Sequence, residues 1–184
     1  MKVLDTDTCI EILRGNQSVL ARREAERDDV ATTWITACAL AYGAANSSYP
    51  EQNRELVKAF LATLPVLSLS EDSAFLFGSQ KARLRRAAIT VADADLMIAA
   101  IAIVHGAMLV TGNLRHYNRI DGLSLEDWIR PPPASAVAEP ETGQAPTAAN
   151  IRHRGRGPRH PRSMRLIRCI RHHRADCRGA ERQG

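Results

Sequence analysis

The sequence predicts an α/β fold, a parallel sheet covered by helices on both faces, and two observations carry the prediction. Short apolar segments rich in β-branched residues alternate with longer helical ones through residues 1–130, the order that builds parallel sheets. The alternation stops at "PPPASAVAEPETGQAPTAAN", a Pro/Ala-rich stretch too poor in large apolar side chains to offset the entropy of ordering. The expected organisation is a domain over residues 1–130, a linker over 131–150 and a disordered, Arg/His-rich basic tail over 151–184.

"KVLD" reads as the first strand, turning into a helix near "DTCIEILRGN" that stops at Gly15-Asn16. "VATTWIT" (30–36) is β-branched and strand-like, and "ITACALAYGA" continues as helix to about Ser47 from a start near Thr36. From Pro50 an amphipathic helix places Leu56, Ala59, Phe60 and Thr63 on one stripe, followed by the strand-like "PVLSLS". A long helix spans about Glu71 to Ala88. The last unit opens at Asp93, the expected N-cap of the apolar helix "ADLMIAAIAIVHGA", which Gly106 stops; "MLVT" then forms a buried strand ending in the turn "GN".

Charge is divided unevenly along the 184 residues. From residue 131 onward 11 Arg face four carboxylates, a net of +7, while residues 1–130 hold 14 basic and 16 acidic side chains, a net of −2. From Arg156 to Arg174 an Arg stands at every third position, a step that drifts by about 60° per residue pair on a helix and so circles it. The tail reads as a polycation without a selected role, with a nucleic-acid-binding arm as the functional alternative. "CIRHHRADC" matches no standard zinc-finger spacing. Cys9, Cys38, Cys169 and Cys177 are irregularly spaced and no signal-peptide pattern opens the chain, so a reduced cytoplasmic protein is expected. The nine-residue run "LMIAAIAIV" is too short to span a bilayer, and no membrane partner is expected.

Common catalytic signatures are absent: no GxGxxG after the first strand, no P-loop, no GxSxG and no HExxH. Carboxylates at strand and helix ends remain. Ligands of open parallel sheets gather outside the carboxyl ends of the strands, where Asp5 ends the first strand and Asp7 follows, although either could simply cap a helix. Asp95 opens the apolar helix with Ile98, Ala99 and Ala102 on its packing face, and Asn113 follows the strand "MLVT". Oxygen donors from several strand ends suit Mg²⁺ or Mn²⁺, which relieves carboxylate repulsion and can activate water beside a phosphate. Metal-assisted phosphodiester hydrolysis is one chemistry that fits.

The blocks "VLDTDTCIEIL", "ITACALAYGAANS" and "DLMIAAIAIVHGAMLVTGNLRHYNRIDGLSLEDW" resemble the PIN-domain family, more narrowly its VapC-type ribonuclease toxins of bacterial toxin–antitoxin pairs. The resemblance covers about residues 1–130, with three blocks in family order. It implies a five-stranded parallel sheet in a three-layer α/β/α sandwich, Mg²⁺-dependent endonucleolytic cleavage of RNA of the tRNA or rRNA class, a homodimer and a VapB-type antitoxin. By position, Asp5 and Asp95 match metal-binding aspartates, Asn113 falls at the last member of the acidic cluster, and Arg115 follows as in many members.

Three departures stand out. The tail has no family counterpart. The loop before Asp95 reads "RAAITVAD" where many members carry Gly. The family pattern "ITxxELxYGA" has its Glu where this chain has Ala39. An alanine expected in the first helical turn offers no ligand, and Asp7 or Asp93 could swing in as substitutes. The expectation is a ribonuclease impaired at Ala39, with Lys81, Arg83, Arg85, Arg86 or Arg115 as candidates to meet RNA phosphates, although the run "KARLRR" reads first as a solvated helix face; the alternative is a decayed domain that binds antitoxin or RNA without cutting. A receiver-like phosphorelay domain also places acids after its first strand but needs a lysine where "LVTGN" stands.

Overall fold

The computed structural model describes residues 1–130; the expected linker and tail, with their Arg repeat and "CIRHHRADC", lie outside the described residues. The elements run β1 (Lys2–Leu4), α1 (Thr6–Leu13), α2 (Gln17–Ala25), β2 (Val30–Thr33), α3 (Trp34–Ala45), α4 (Pro50–Leu61), β3 (Val66–Leu67), α5 (Glu71–Arg86), α6 (Asp93–Val104), β4 (Met108–Val110), α7 (Leu114–Tyr117) and β5 (Ser124–Glu126). The five strands form one sheet in the order β3-β2-β1-β4-β5, with every pairing parallel. Pairing is in register from Val3 to Ala31 on one side and from Val3 to Leu109 on the other.

Alternation along the strands divides the core between the two faces of this sheet. Leu4 and Val110 pack with Cys9, Ile10, Leu13, Val19, Leu40 and Val57, under α1 to α4. Their neighbours Val3 and Leu109 face the other way and pack with Leu84, Leu96, Ile98, Ala99 and Tyr117, under α5 to α7. The result is the expected three-layer sandwich. Leu4 and Leu109 are fully buried, and truncating either to Ala would cost about 2–5 kcal/mol through lost burial and the cavity left behind. No helix among the described residues is long and apolar enough to cross a membrane.

The structure corrects four local expectations. The β-branched segment is strand only as far as Thr33, because the Thr33 side chain caps α3 by accepting the Thr36 N–H at 3.1 Å; the helix therefore starts at Trp34. The face that α4 buries holds Val57, with Phe60 and Leu61 half-buried, while Leu56, Ala59 and Thr63 are exposed. Adjacent Leu56 and Val57 sit about 100° apart on the helix, and packing against α3 selects the second. Ala92, not Asp93, is the N-cap of α6, and it makes no side-chain capping bond. Finally, α2 went unforeseen: its sequence "QSVLARREA" buries only Val19, too little periodicity to stand out.

The loop before Asp95 has its own feature. α5 ends in a Schellman arrangement, with the Ile89 N–H donating to the Leu84 carbonyl at 2.9 Å, and the residue that must turn left-handed is Ala88, at φ +54°. Glycine takes this conformation without strain, and here an alanine stands in it.

Candidate active site

The order in which strands are added reverses at β1 and β4: β2 and β3 add on one side of β1, β4 and β5 on the other. Such a switch point opens a crevice at the carboxyl ends of the strands. Asp5 follows β1 directly, and Thr111, Gly112 and Asn113 follow β4, so the order of strands brings positions 106 residues apart to one place.

Asp5 is fully buried and both carboxylate oxygens are engaged. Oδ1 accepts the Thr6 N–H at 2.6 Å, which caps α1, and Oδ2 accepts the Thr111 hydroxyl at 2.8 Å. Capping therefore accounts for one oxygen of Asp5 and not the other. The Thr111 hydroxyl in turn accepts the Asn113 N–H at 3.0 Å. The Thr8 hydroxyl donates to the Val110 carbonyl at 2.9 Å and the Asp5 N–H donates to the same carbonyl at 3.0 Å, fastening the start of α1 to the end of β4. Asn113 is half-buried, and its side-chain nitrogen is enclosed without a hydrogen-bond partner among the described residues.

Asp95 lies in the first turn of α6 with its side chain only 14% exposed, and the His116 Nδ1 on α7 is 3.9 Å from its Oδ2. Asp93, two residues earlier, is turned to the surface and pairs with Lys81 at 2.6 Å. Asp7 accepts the Thr8 and Gly112 N–H groups. Asp7 and Asp93, the two expected substitutes for a carboxylate at position 39, thus each have other partners in this structure. Ala39 is the sixth residue of α3, in its second turn and half-buried, and presents only a methyl group.

Asp5 and Asp95 are oxygen donors of the kind that hold hard divalent cations, and half-buried Asn113, whose amide oxygen could join them, follows β4 at the carboxyl end of the sheet. They fit such an ion in kind and fall short in number: among the described residues no three His, Cys, Asp or Glu side chains form a group that could hold a metal. Cys9, the buried thiol nearby, sits 3.7 Å from the Thr32 hydroxyl; burial pushes its pKa up, and the charges of Asp5 and Asp7 add to that, so it is unsuited to act as a nucleophile.

Of the five basic residues expected near RNA, Lys81 is paired with Asp93 and Arg83 with Asp121 at 3.0 Å, while Arg85, Arg86 and Arg115 are exposed. Sequence reasoning missed Thr111, Gly112 and His116. The run "TGN" held the signal for the first two, since it directly follows a buried strand, and His116 lies in the short helix after it.

Residues 2–123 match the PIN domain. The chain is 35% identical over 127 residues to the tRNA(fMet)-specific endonuclease VapC of Salmonella typhimurium, covering 68% of this chain and 96% of that protein. It is 33% identical over 128 residues to ribonuclease VapC2 of Haemophilus influenzae, covering 69% and 97%. Among solved structures, DNA-bound VapBC from Salmonella typhimurium superposes with a TM-score of 0.66 at 35% identity, over 69% of this chain and 97% of that one. VapBC2 from Rickettsia felis bound to a promoter DNA fragment gives 0.65 at 30% identity, over 69% and 98%. A matched family over most of residues 1–130, near full-length relatives and the switch-point aspartate agree: the chain belongs to the PIN-domain family, among its VapC-type ribonucleases.

Proposed function

We propose that the chain is a cytoplasmic, divalent-metal-dependent endoribonuclease of a VapBC-type toxin–antitoxin pair, acting on RNA of the tRNA class. The observation that carries this reading is Asp5, wholly buried at the switch point, oriented by Thr111, in a chain whose relatives are named as ribonucleases. Asp5 and Asp95 would hold the ion with Asn113 in support, and the hardness of the oxygen donors favours Mg²⁺, with Mn²⁺ as an alternative. When bound, the ion would supply charge neutralisation at the scissile phosphate and a lowered pKa for a coordinated water. The chain's own contribution is orientation: Thr111 fixes the Asp5 carboxylate and the following turn holds Asn113. Exposed Arg85, Arg86 and Arg115 would meet RNA phosphates.

Ala39 weakens this site and leaves the fold intact. A non-cutting module that only binds antitoxin or RNA is the less favoured reading, because relatives aligned along nearly their whole length carry nuclease names. The expected partners are a VapB-type antitoxin and a second copy of the chain. An apolar groove of about 480 Å³ between α3 and α4, lined by Trp34, Ala37, Ala41, Val57 and Leu61, is a surface of the kind an apolar helical segment covers. The reading is tested by incubating the full chain with a tRNA pool in Mg²⁺ and in EDTA: cleavage with Mg²⁺ that stops with EDTA and with Asp95→Asn supports it. Cleavage that survives both would refute it.

A further inference from the structure

Asp7 does not have the setting of a substitute ligand. Its Oδ1 accepts the Thr8 N–H at 2.7 Å, and its Oδ2 reaches across 105 residues of sequence to accept the Gly112 N–H at 3.1 Å. The Thr111 hydroxyl lies 3.4 and 3.5 Å from the two oxygens, too far to count as more than a weak contact. The Gly112 carbonyl is held as well, by the Arg130 guanidinium at 2.6 Å. The peptide units before and after Gly112 are therefore fixed by two different parts of the chain. Asn113 comes next, with its N–H on Thr111 and its side-chain nitrogen enclosed and unpartnered among the described residues.

Gly112 leaves the space this needs: a Cβ there would stand 2.9 Å from the Ile129 Cδ1 and 3.4 Å from the Asp7 Oδ2. The two N–H groups also explain why the residue is an aspartate. An asparagine of the same shape offers one acceptor and one donor, so one of the two backbone N–H groups would face another donor.

We propose that Asp7 is a positioning residue, which sets the Thr111-Gly112-Asn113 turn so that the Asn113 amide is held at the sheet end beside Asp5, and that it does not replace the missing carboxylate at position 39 as a metal ligand. This deepens the ribonuclease reading and rests on it for the kinetic comparison only.

The test uses the full ¹⁵N-labelled chain with Asp7→Asn, Asp7→Ser, Asp5→Asn and Asn113→Ala. Serine keeps an acceptor for the Thr8 N–H and is too short for Gly112, so it preserves the start of α1 should the asparagine variant fold poorly. Amide exchange at Gly112 should quicken about tenfold in both Asp7 variants while Leu109 is unchanged. The Mn²⁺ dissociation constant, read from free Mn²⁺ by electron paramagnetic resonance, should stay within about threefold in Asp7→Asn and weaken more than about tenfold in Asp5→Asn. RNA cleavage should fall about tenfold in kcat for Asp7→Asn with KM unchanged, and that fall should disappear in an Asn113→Ala background. Unchanged Gly112 exchange overturns the proposal. So does Mn²⁺ binding as weak in Asp7→Asn as in Asp5→Asn, which would make Asp7 a ligand. A chain that cuts no RNA overturns the nuclease reading instead, and the exchange and affinity measurements still decide the role of Asp7.

Discussion

The Thr111 hydroxyl donates to the Asp5 carboxylate at 2.8 Å while accepting the Asn113 N–H at 3.0 Å, so one side chain at the end of β4 orients the two polar groups that flank the switch point. Replacing it by valine keeps the shape and removes both bonds. Thr111→Val should lower RNA cleavage by about 10- to 100-fold, as loss of a group that orients a ligand does, and should destabilise the fold by about 1–3 kcal/mol because the buried Asp5 loses a donor. Paired kcat and urea-unfolding measurements check both effects.

Ala88 occupies the left-handed position that closes α5, at φ +54°. A Cβ in that region costs about 1–2 kcal/mol, and glycine escapes the cost. Ala88→Gly should raise the thermal midpoint by about 2–8 °C, offset in part by the greater freedom of glycine in the unfolded chain. A lower midpoint would mean that the helix end is not strained as described.

Far from the site, Lys2 bridges Glu26 at 2.6 Å and Glu126, with Trp128 beneath its ammonium group. Burial pulls the Lys2 pKa down, but the hydrogen bonds to Glu126 and Glu26 and their charges outweigh it, and the net shift is upward. The hydrogen bond from Lys2 holds the Glu26 carboxyl below its ordinary value. A carboxylate whose folded pKa is depressed contributes stability above its unfolded pKa and loses it as pH falls through the folded one. Glu26→Gln should therefore lower the midpoint at pH 7 by a few degrees, about 2–4 °C, and the difference should close as pH falls below the usual carboxylate range. A difference independent of pH between 7 and 3 would show that packing, not the ion pair, is at stake.

Much of this was readable from residue types alone. Asp5, Asp95 and Asn113 were recognisable because each stands where a strand or an apolar helix begins or ends, and those boundaries follow from hydrophobic periodicity. What escaped was set by contacts distant in sequence or by a local choice between near-equal patterns. The bonds from Thr111 to Asp5 and from Gly112 to Asp7 join segments more than 100 residues apart, so no local spacing encodes them. α3 starts earlier than the sequence pattern suggests because Thr33 is at once a good strand residue and a good N-cap, and the cap prevails. That shift places Ala39 in the second turn of α3 and not in its first.

We propose that the domain is a metal-dependent ribonuclease weakened by a single absent carboxylate. The most direct test compares initial rates of tRNA cleavage by the unaltered chain and by Ala39→Glu, across a Mg²⁺ titration. A restored carboxylate should raise the rate by about 10- to 100-fold at low Mg²⁺ and shift half-saturation to a lower concentration. Equal rates and equal Mg²⁺ dependence in the two proteins would contradict the account.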